Sequence, residues 1–245
     1  MSKTTDPLEI KLIKRFHQAL ADYQLLEDGD HILVALSGGK DSLLLTELMS
    51  RQMRIHKPQI KVSVAHVRME NVAYESDSSY LEGFCSRLGV PLYIMTTRFD
   101  RPSVKQTTRQ KPPCFLCSWN RRKQLFNLAQ ELGCNKIALG HHQDDILKTT
   151  LMNLTFEGSF SGMPVRLKMR KMPLTIIRPL ALCQEDDIRA YARCHQYLEQ
   201  KKKCPYEHET TRHEVNILYN QMQGLNPEAR YSLWHALEKS GKLIG

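Results

Sequence analysis

The sequence predicts an α/β protein built on a doubly wound, mostly parallel five-stranded sheet with additional helices at both ends of the chain. Two observations predict it. Apolar runs of strand length alternate with longer runs of helical period. Two of those strands, moreover, end in Ser37-Gly38-Gly39 and Gly140-His141, at the carboxyl edge where open α/β sheets hold their ligands.

The elements follow in order. Apolar residues at Leu8, Ile10, Leu12, Ile13, Phe16, Ala19, Leu20 and Tyr23 recur at helical spacing and predict an amphipathic helix over Pro7–Leu26. His31–Leu36 is an apolar strand, and Leu43–Met49 begins a helix. Strands are expected at Lys61–Val67, Val90–Thr96, Lys136–Gly140 and Thr175–Pro179. Helices are expected at Ser76–Leu88, Ser118–Leu132, Asp144–Phe156, Glu185–Leu198 and Arg212–Lys239. Phe99–Pro113 and Glu157–Pro173, rich in proline and basic residues, read as loops over the ligand edge. Three segments result: residues 1–28 as an N-terminal helix, 29–182 as a nucleotide-binding domain, and 183–245 as a C-terminal helical segment.

Composition narrows the function. With 35 basic and 26 acidic residues among 245, the formal charge is +9, which favours a polyanionic partner such as RNA. No apolar run approaches the roughly 20 residues that span a bilayer, and the polar start Met1-Ser-Lys-Thr-Thr-Asp-Pro is no signal peptide, so a cytoplasmic protein without a membrane is expected. Seven cysteines in such a chain point to reduced thiols, metal binding or catalysis rather than to a disulfide framework.

Ser37-Gly38-Gly39-Lys40-Asp41-Ser42 lies between a strand and a helix. A turn of this kind gathers backbone N–H groups and the positive end of a helix at one point, where phosphate is favoured, and Lys40 adds a full charge. The spacing differs from G-x-x-x-x-G-K-[ST] and suits pyrophosphate rather than γ-phosphate transfer. The hexamer resembles the PP-loop ATP pyrophosphatase family, whose members adenylate a carbonyl oxygen and release pyrophosphate. The resemblance implies an adenine nucleotide alpha hydrolase-like fold with ATP at Ser37, Gly38, Gly39, Lys40, Asp41 and Ser42.

Gly140-His141-His142-Gln143-Asp144-Asp145 also joins a strand to a helix. Its carboxylates either cap the helix or share Mg²⁺ with the nucleotide. The segment resembles the Gly-His-His-x-Asp-Asp motif of PP-loop enzymes acting on tRNA. Gly140, His141 and Asp145 are therefore candidate nucleotide-binding residues, and Asp41 and Asp145 candidate magnesium ligands.

Cys114-Phe-Leu-Cys117 opens a helix after Pro112-Pro113, and Cys204 sits in a basic, proline-punctuated loop. Cys85, Cys134, Cys183 and Cys194 fall in apolar or helical patterns and read as small core residues. Three free cysteines suit a [4Fe-4S] cluster with one open iron, whereas structural zinc would take a fourth ligand such as His208 or His213. A Cys114–Cys117 disulfide or redox relay is a further reading. The loop, the Cys-x-x-Cys and the distant third cysteine together resemble the tRNA 2-thiocytidine synthetases, the tRNA-cytidine 32 2-sulfurtransferase family, over roughly residues 8–225. That resemblance implies a [4Fe-4S] cluster on Cys114, Cys117 and Cys204. It also implies ATP activation of the C2 oxygen of a cytidine in the tRNA anticodon loop, with Lys40 and Asp41 in the catalytic set. A separate sulfur donor such as a cysteine desulfurase, and a homodimer, belong to the same expectation.

Two features depart from the family pattern: Lys148 follows Asp-Asp-Ile-Leu, and Cys204 is followed by Pro-Tyr-Glu rather than by a nearby second cysteine. Basic runs at Arg121-Arg122-Lys123, at Arg166, Lys168, Arg170 and Lys171, and at Lys201-Lys202-Lys203 are expected to grip RNA phosphates. The rival readings are a PP-loop tRNA ligase, a thiouridine-forming enzyme acting on another nucleotide, and a non-catalytic metal-sensing RNA-binding protein. A synthetase of free nucleotides would leave the basic runs unexplained.

Overall fold

The computed structural model describes residues 6–70, 72–74, 77–98, 113–200, 202–203 and 212–245. Along the chain these form α1 (Pro7–Asp22), β1 (His31–Ala35), α2 (Lys40–Gln52), β2 (Lys61–Met69), β3 (Ala73–Tyr74), α3 (Ser79–Leu88), β4 (Leu92–Thr97) and α4 (Pro113–Glu131). There follow β5 (Lys136–Ala138), α5 (Gln143–Glu157), β6 (Arg166–Lys168), β7 (Thr175–Ile177), α6 (Glu185–Cys194), β8 (Lys202–Lys203), α7 (Arg212–Leu225) and α8 (Ala229–Lys239). The parallel-dominated α/β architecture is the one predicted, with six strands in the main sheet against the five expected.

The chain divides into two compact units, the first of Asp28–Ile137 with Leu198–His208, the second of Met1–Glu27, Ala138–Tyr197 and Glu209–Gly245. In the first unit the order is β4-β2-β1-β5, and β1 and β4 both run parallel to β2, with Val34 opposite Val64 and Val64 opposite Leu92. Ile32, Leu33, Val34, Val62, Val64 and Ala65 are buried, as strands covered on both faces require. On α2, Leu43, Leu44, Leu45, Leu48 and Met49 join them in the core. At the open end of β1, Lys136 and Asp30 form a buried ion pair of 2.7 Å, and the Asn135 amide donates to Asp30 at 2.7 Å.

In the second unit β6 pairs antiparallel with β7. The prediction of a loop over Glu157–Pro173 missed β6, because an antiparallel strand of three residues alternating Arg166-Leu167-Lys168 has neither the length nor the apolar content of the buried strands. The expected helix Arg212–Lys239 is two helices. Pro227, which lacks an N–H, separates them, and the Asn226 carboxamide accepts from the Glu228 N–H at 2.9 Å. α6 ends at Cys194 rather than Leu198, with Gln196 in the left-handed region at φ 51°. On α1, Leu12, Phe16 and Ala19 are buried, as is Tyr23 just after it, whose hydroxyl donates to Glu238 at 2.9 Å.

Candidate nucleotide and cysteine site

β1 leaves the sheet at Leu36, whose N–H still donates to the Ala65 carbonyl at 2.8 Å. The chain then turns through Gly38, at φ +87°, a conformation that glycine adopts without strain. Ser42 ties the turn together. Its buried hydroxyl accepts from the Gly38 N–H at 3.1 Å and donates to the Gly39 carbonyl at 2.9 Å, and the Ser37 hydroxyl donates to it at 3.1 Å. Lys40, expected to contribute its charge to phosphate, lies with Nζ 3.1 Å from Asp41 Oδ2, so two predicted site residues pair with each other.

A segment that sequence reasoning left out lies directly on this turn. The Glu199 carboxylate accepts from the Lys40 N–H at 2.9 Å, and the Gln200 N–H donates to the Gly38 carbonyl at 2.8 Å. A Cβ on Gly38 would stand 2.8 Å from both Cβ and Cγ of Gln200. Gln200 also reaches across to donate from its amide to the Asp77 carbonyl at 3.0 Å. The only local signal for Glu199 and Gln200 was their place just before the basic Lys201-Lys202-Lys203-Cys204. His66, buried in β2, was visible as the one imidazole in an otherwise apolar run. Burial lowers its pKa below the usual histidine range, and its Nδ1 lies 2.7 Å from the Leu36 carbonyl, where the neutral ring donates.

The same unit carries the cysteine segments. Cys114 and Cys117 lie in the first turn of α4; the side chain of Cys114 falls outside the described residues, while Cys117 is half-buried and packs with Leu116 on Met69 and Val72. Immediately beyond Val72, β3 pairs antiparallel with β8, Ala73 opposite Lys203 and Tyr74 opposite Lys202. Cys204, the residue after β8, is itself outside the described residues, as are His208 and residues 99–112 of the first expected loop. Met69 and Val72 also line an open cavity of about 710 Å³ at the carboxyl ends of β2 and β4, with Arg68, Glu70, Ser78 and Thr96 around it. Within it, Arg68 donates to the Ser78 hydroxyl at 3.1 Å. Among the described residues no group of three or more His, Cys, Asp or Glu side chains is arranged to hold a metal.

The remaining cysteines divide. Cys85, Cys134 and Cys183 are buried, and burial pushes their thiols up to about 11, 11 and 12. Cys194 is exposed, contrary to its reading as a core residue, because α6 ends at that position.

In the second unit, Gly140-His141-His142 leads into α5. The Asp145 carboxylate accepts from the His142 N–H at 3.2 Å and closes the helix start, while its side chain keeps 39% of its exposure. Asp144 points inward. It accepts from the Glu185 N–H at 2.8 Å and the Tyr219 hydroxyl at 3.1 Å, and it pairs with Arg230 at 2.8 Å. Burial opposes its charge, but the Glu185 N–H and the Arg230 guanidinium outweigh burial and hold the carboxyl below the usual range. Lys148, the departure from the family pattern, reaches Glu185 at 3.2 Å and lies 5.6 Å over the Tyr219 ring, so its charge is absorbed by packing among α5, α6 and α7.

The strand β1, its glycine turn and α2 lie within a PP-loop domain that the family model matches over residues 8–233, so the chain is a PP-loop protein. Within that class the chain belongs to the family of the tRNA-cytidine(32) 2-sulfurtransferases. It is 31% identical to that protein of Pseudomonas putida (strain W619), over 97% of this chain and 86% of the relative. With that of Marinomonas sp. (strain MWYL1) it shares 38% identity over 80% of this chain and 71% of the relative. It also has the fold of the U34-tRNA thiolase NcsA from Methanococcus maripaludis, solved with its [4Fe-4S] cluster. The TM-score is 0.78, with 24% identity over 95% of this chain and 79% of that one.

Proposed function

We propose that this protein is an ATP-dependent sulfurtransferase that replaces the C2 oxygen of a tRNA cytidine, at position 32 in the anticodon loop, by sulfur. The observation that carries this reading is the pairing of β3 with β8. It sets the residues just before Cys204 beside Val72, on which Cys117 packs, in the same unit as the phosphate-binding turn. Cys114, Cys117 and Cys204 would hold a [4Fe-4S] cluster, since three cysteine thiolates are a donor set that leaves such a cluster one open iron. The group supplies, when bound, an iron with an open position for sulfide.

The chemistry follows from leaving groups. A carbonyl oxygen leaves poorly. The C2 oxygen attacks the α-phosphorus of ATP, the bond to the bridging oxygen breaks, and pyrophosphate departs; a sulfur nucleophile then adds at C2 and AMP leaves with the former carbonyl oxygen. The turn of Ser37, Gly38 and Gly39, held in shape by the Ser42 hydroxyl, and the N–H and charge of Lys40 stabilise the developing pyrophosphate. Asp41 would hold Mg²⁺ against the phosphates. The cavity beside Met69 and Val72 falls in the size range of small-molecule sites. Sulfur would come from a separate donor such as a cysteine desulfurase, and the family resemblance implies a homodimer.

Mass analysis of nucleosides from total tRNA, in cells lacking the gene and complemented by wild type, Cys114→Ala or Cys204→Ala, tests the reading. Only the wild type should restore 2-thiocytidine, while purified Cys204→Ala still binds ATP. Unchanged 2-thiocytidine in the deletion strain overturns the substrate, and restoration by either cysteine variant overturns the cluster.

A further inference from the structure

The proposed function leaves unused an aromatic side chain close to the cysteines. Trp119 stands two residues after Cys117 on α4, with 52% of its surface exposed. One turn further along, Lys123 places its Nζ 5.6 Å from the centre of the Trp119 ring, and Arg122 and Lys123 are themselves exposed. A large ring left in water at this level of exposure costs hydrophobic free energy that a buried position would have recovered. The neighbouring cations give the ring an electrostatic setting suited to a polyanion, in a chain of formal charge +9.

Resting on the reading of tRNA as substrate, we infer that Trp119 is a stacking platform for an unpaired base of the RNA loop, with Arg122 and Lys123 holding the flanking phosphates. A base stacks on an aromatic face whatever its identity, and phosphates supply the charge. A single-stranded loop offers both an unstacked base and a flexible backbone, whereas a duplex hides its base faces. Trp119 lies two residues from Cys117, about 200° around α4 and about 3 Å along it, so the ring faces away from the packed Cys117 and a loop held on it reaches the cysteine side by passing round the helix. That is a positioning role, distinct from the chemistry at C2.

The protein supplies its own probe. It has two tryptophans, and the other, Trp234, is buried in the second unit with its indole N–H donating to Glu238 at 3.1 Å. Emission changes on adding RNA therefore report Trp119. The test titrates the full-length, anaerobically purified protein with an unmodified tRNA transcript carrying cytidine at position 32, reading tryptophan emission and filter binding together. Wild-type emission should be quenched as the transcript binds, and a perfectly paired RNA duplex of similar length should leave it unquenched. Trp119→Ala should weaken transcript binding about tenfold or more, Trp119→Phe should bind nearly as wild type, and both should keep the wild-type ATP affinity and melting temperature. Wild-type affinity in Trp119→Ala, or binding without quenching, overturns the platform and leaves the tRNA reading standing. Absence of transcript binding by the wild type overturns both.

Discussion

At the scale of single residues, the glycine turn between β1 and α2 is defined by two contacts. Gly38 is the position where a side chain meets both objections at once: φ is +87°, and the added carbon would stand 2.8 Å from Gln200. Gly38→Ala is expected to lose ATP binding by more than about tenfold, since strain at such a position costs on the order of 1–3 kcal/mol. Equilibrium binding with circular dichroism as the folding control checks this. The Glu199 carboxylate holds the Lys40 N–H at 2.9 Å, the donor that a bound phosphate would also claim. Glu199→Gln should therefore bind ATP tighter, by about tenfold if a charge-assisted hydrogen bond is what the nucleotide displaces; equal affinity in the two proteins would remove Glu199 from that competition. Asp144 belongs to stability instead. Asp144→Asn leaves the Arg230 charge buried without its counter-ion, and unfolding in urea should show a loss of about 3–5 kcal/mol. The sign of the pH effect follows from its lowered pKa. Its stabilising contribution is complete above the unfolded-state value of about 3.9 and fades as pH falls below that towards the folded value. The wild type should accordingly lose stability below pH ~4 more steeply than Asp144→Asn.

At the scale of elements, α4 combines three tasks along its length. Its first turn carries Cys114 and Cys117, Leu116 and Cys117 pack on the end of β2, and Trp119, Arg122 and Lys123 face solvent. Reversing charge with Arg122→Glu and Lys123→Glu should weaken tRNA binding most at low salt and flatten the dependence of log K on log salt. Each lost phosphate contact removes about one counterion from the release term. Filter binding across a salt series checks it, and an unchanged slope would place the RNA elsewhere. α5 is a different kind of element. Its start is closed by Asp145, and its next turns are clamped through Asp144 and Lys148 to Tyr219, Glu185 and Arg230. An element held that firmly offers a fixed platform for Gly140 and His141 at its approach.

At the scale of the whole molecule, the two units divide the work. The first holds the turn of Ser37–Ser42, the helix of Cys114 and Cys117, and the segment leading to Cys204. The second holds Gly140–Asp145 and the C-terminal helices. The basic residues are spread over both, with Arg122 and Lys123 in the first and Arg166, Lys168, Arg170 and Lys171 in the second. A tRNA is large enough to meet several such runs. Among the described residues no helix is long and apolar enough to cross a membrane.

The alternation of strands and helices, the glycine turn between β1 and α2 and the burial of Cys85, Cys134 and Cys183 were legible in the sequence, because each rests on local spacing, backbone geometry or apolar pattern. Tertiary structure alone decided the rest. The pairing of β3 with β8 joins segments more than a hundred residues apart by two residues on each side, and no periodic signal marks so short a pair. Glu199 and Gln200 meet the turn at Gly38 and Lys40 only because the chain returns there after α6, and Asp144 proves to be an internal counter-ion only because Arg230 arrives from α8. Local pattern determines which elements form; which side chains meet is set by how distant parts of the chain close on one another.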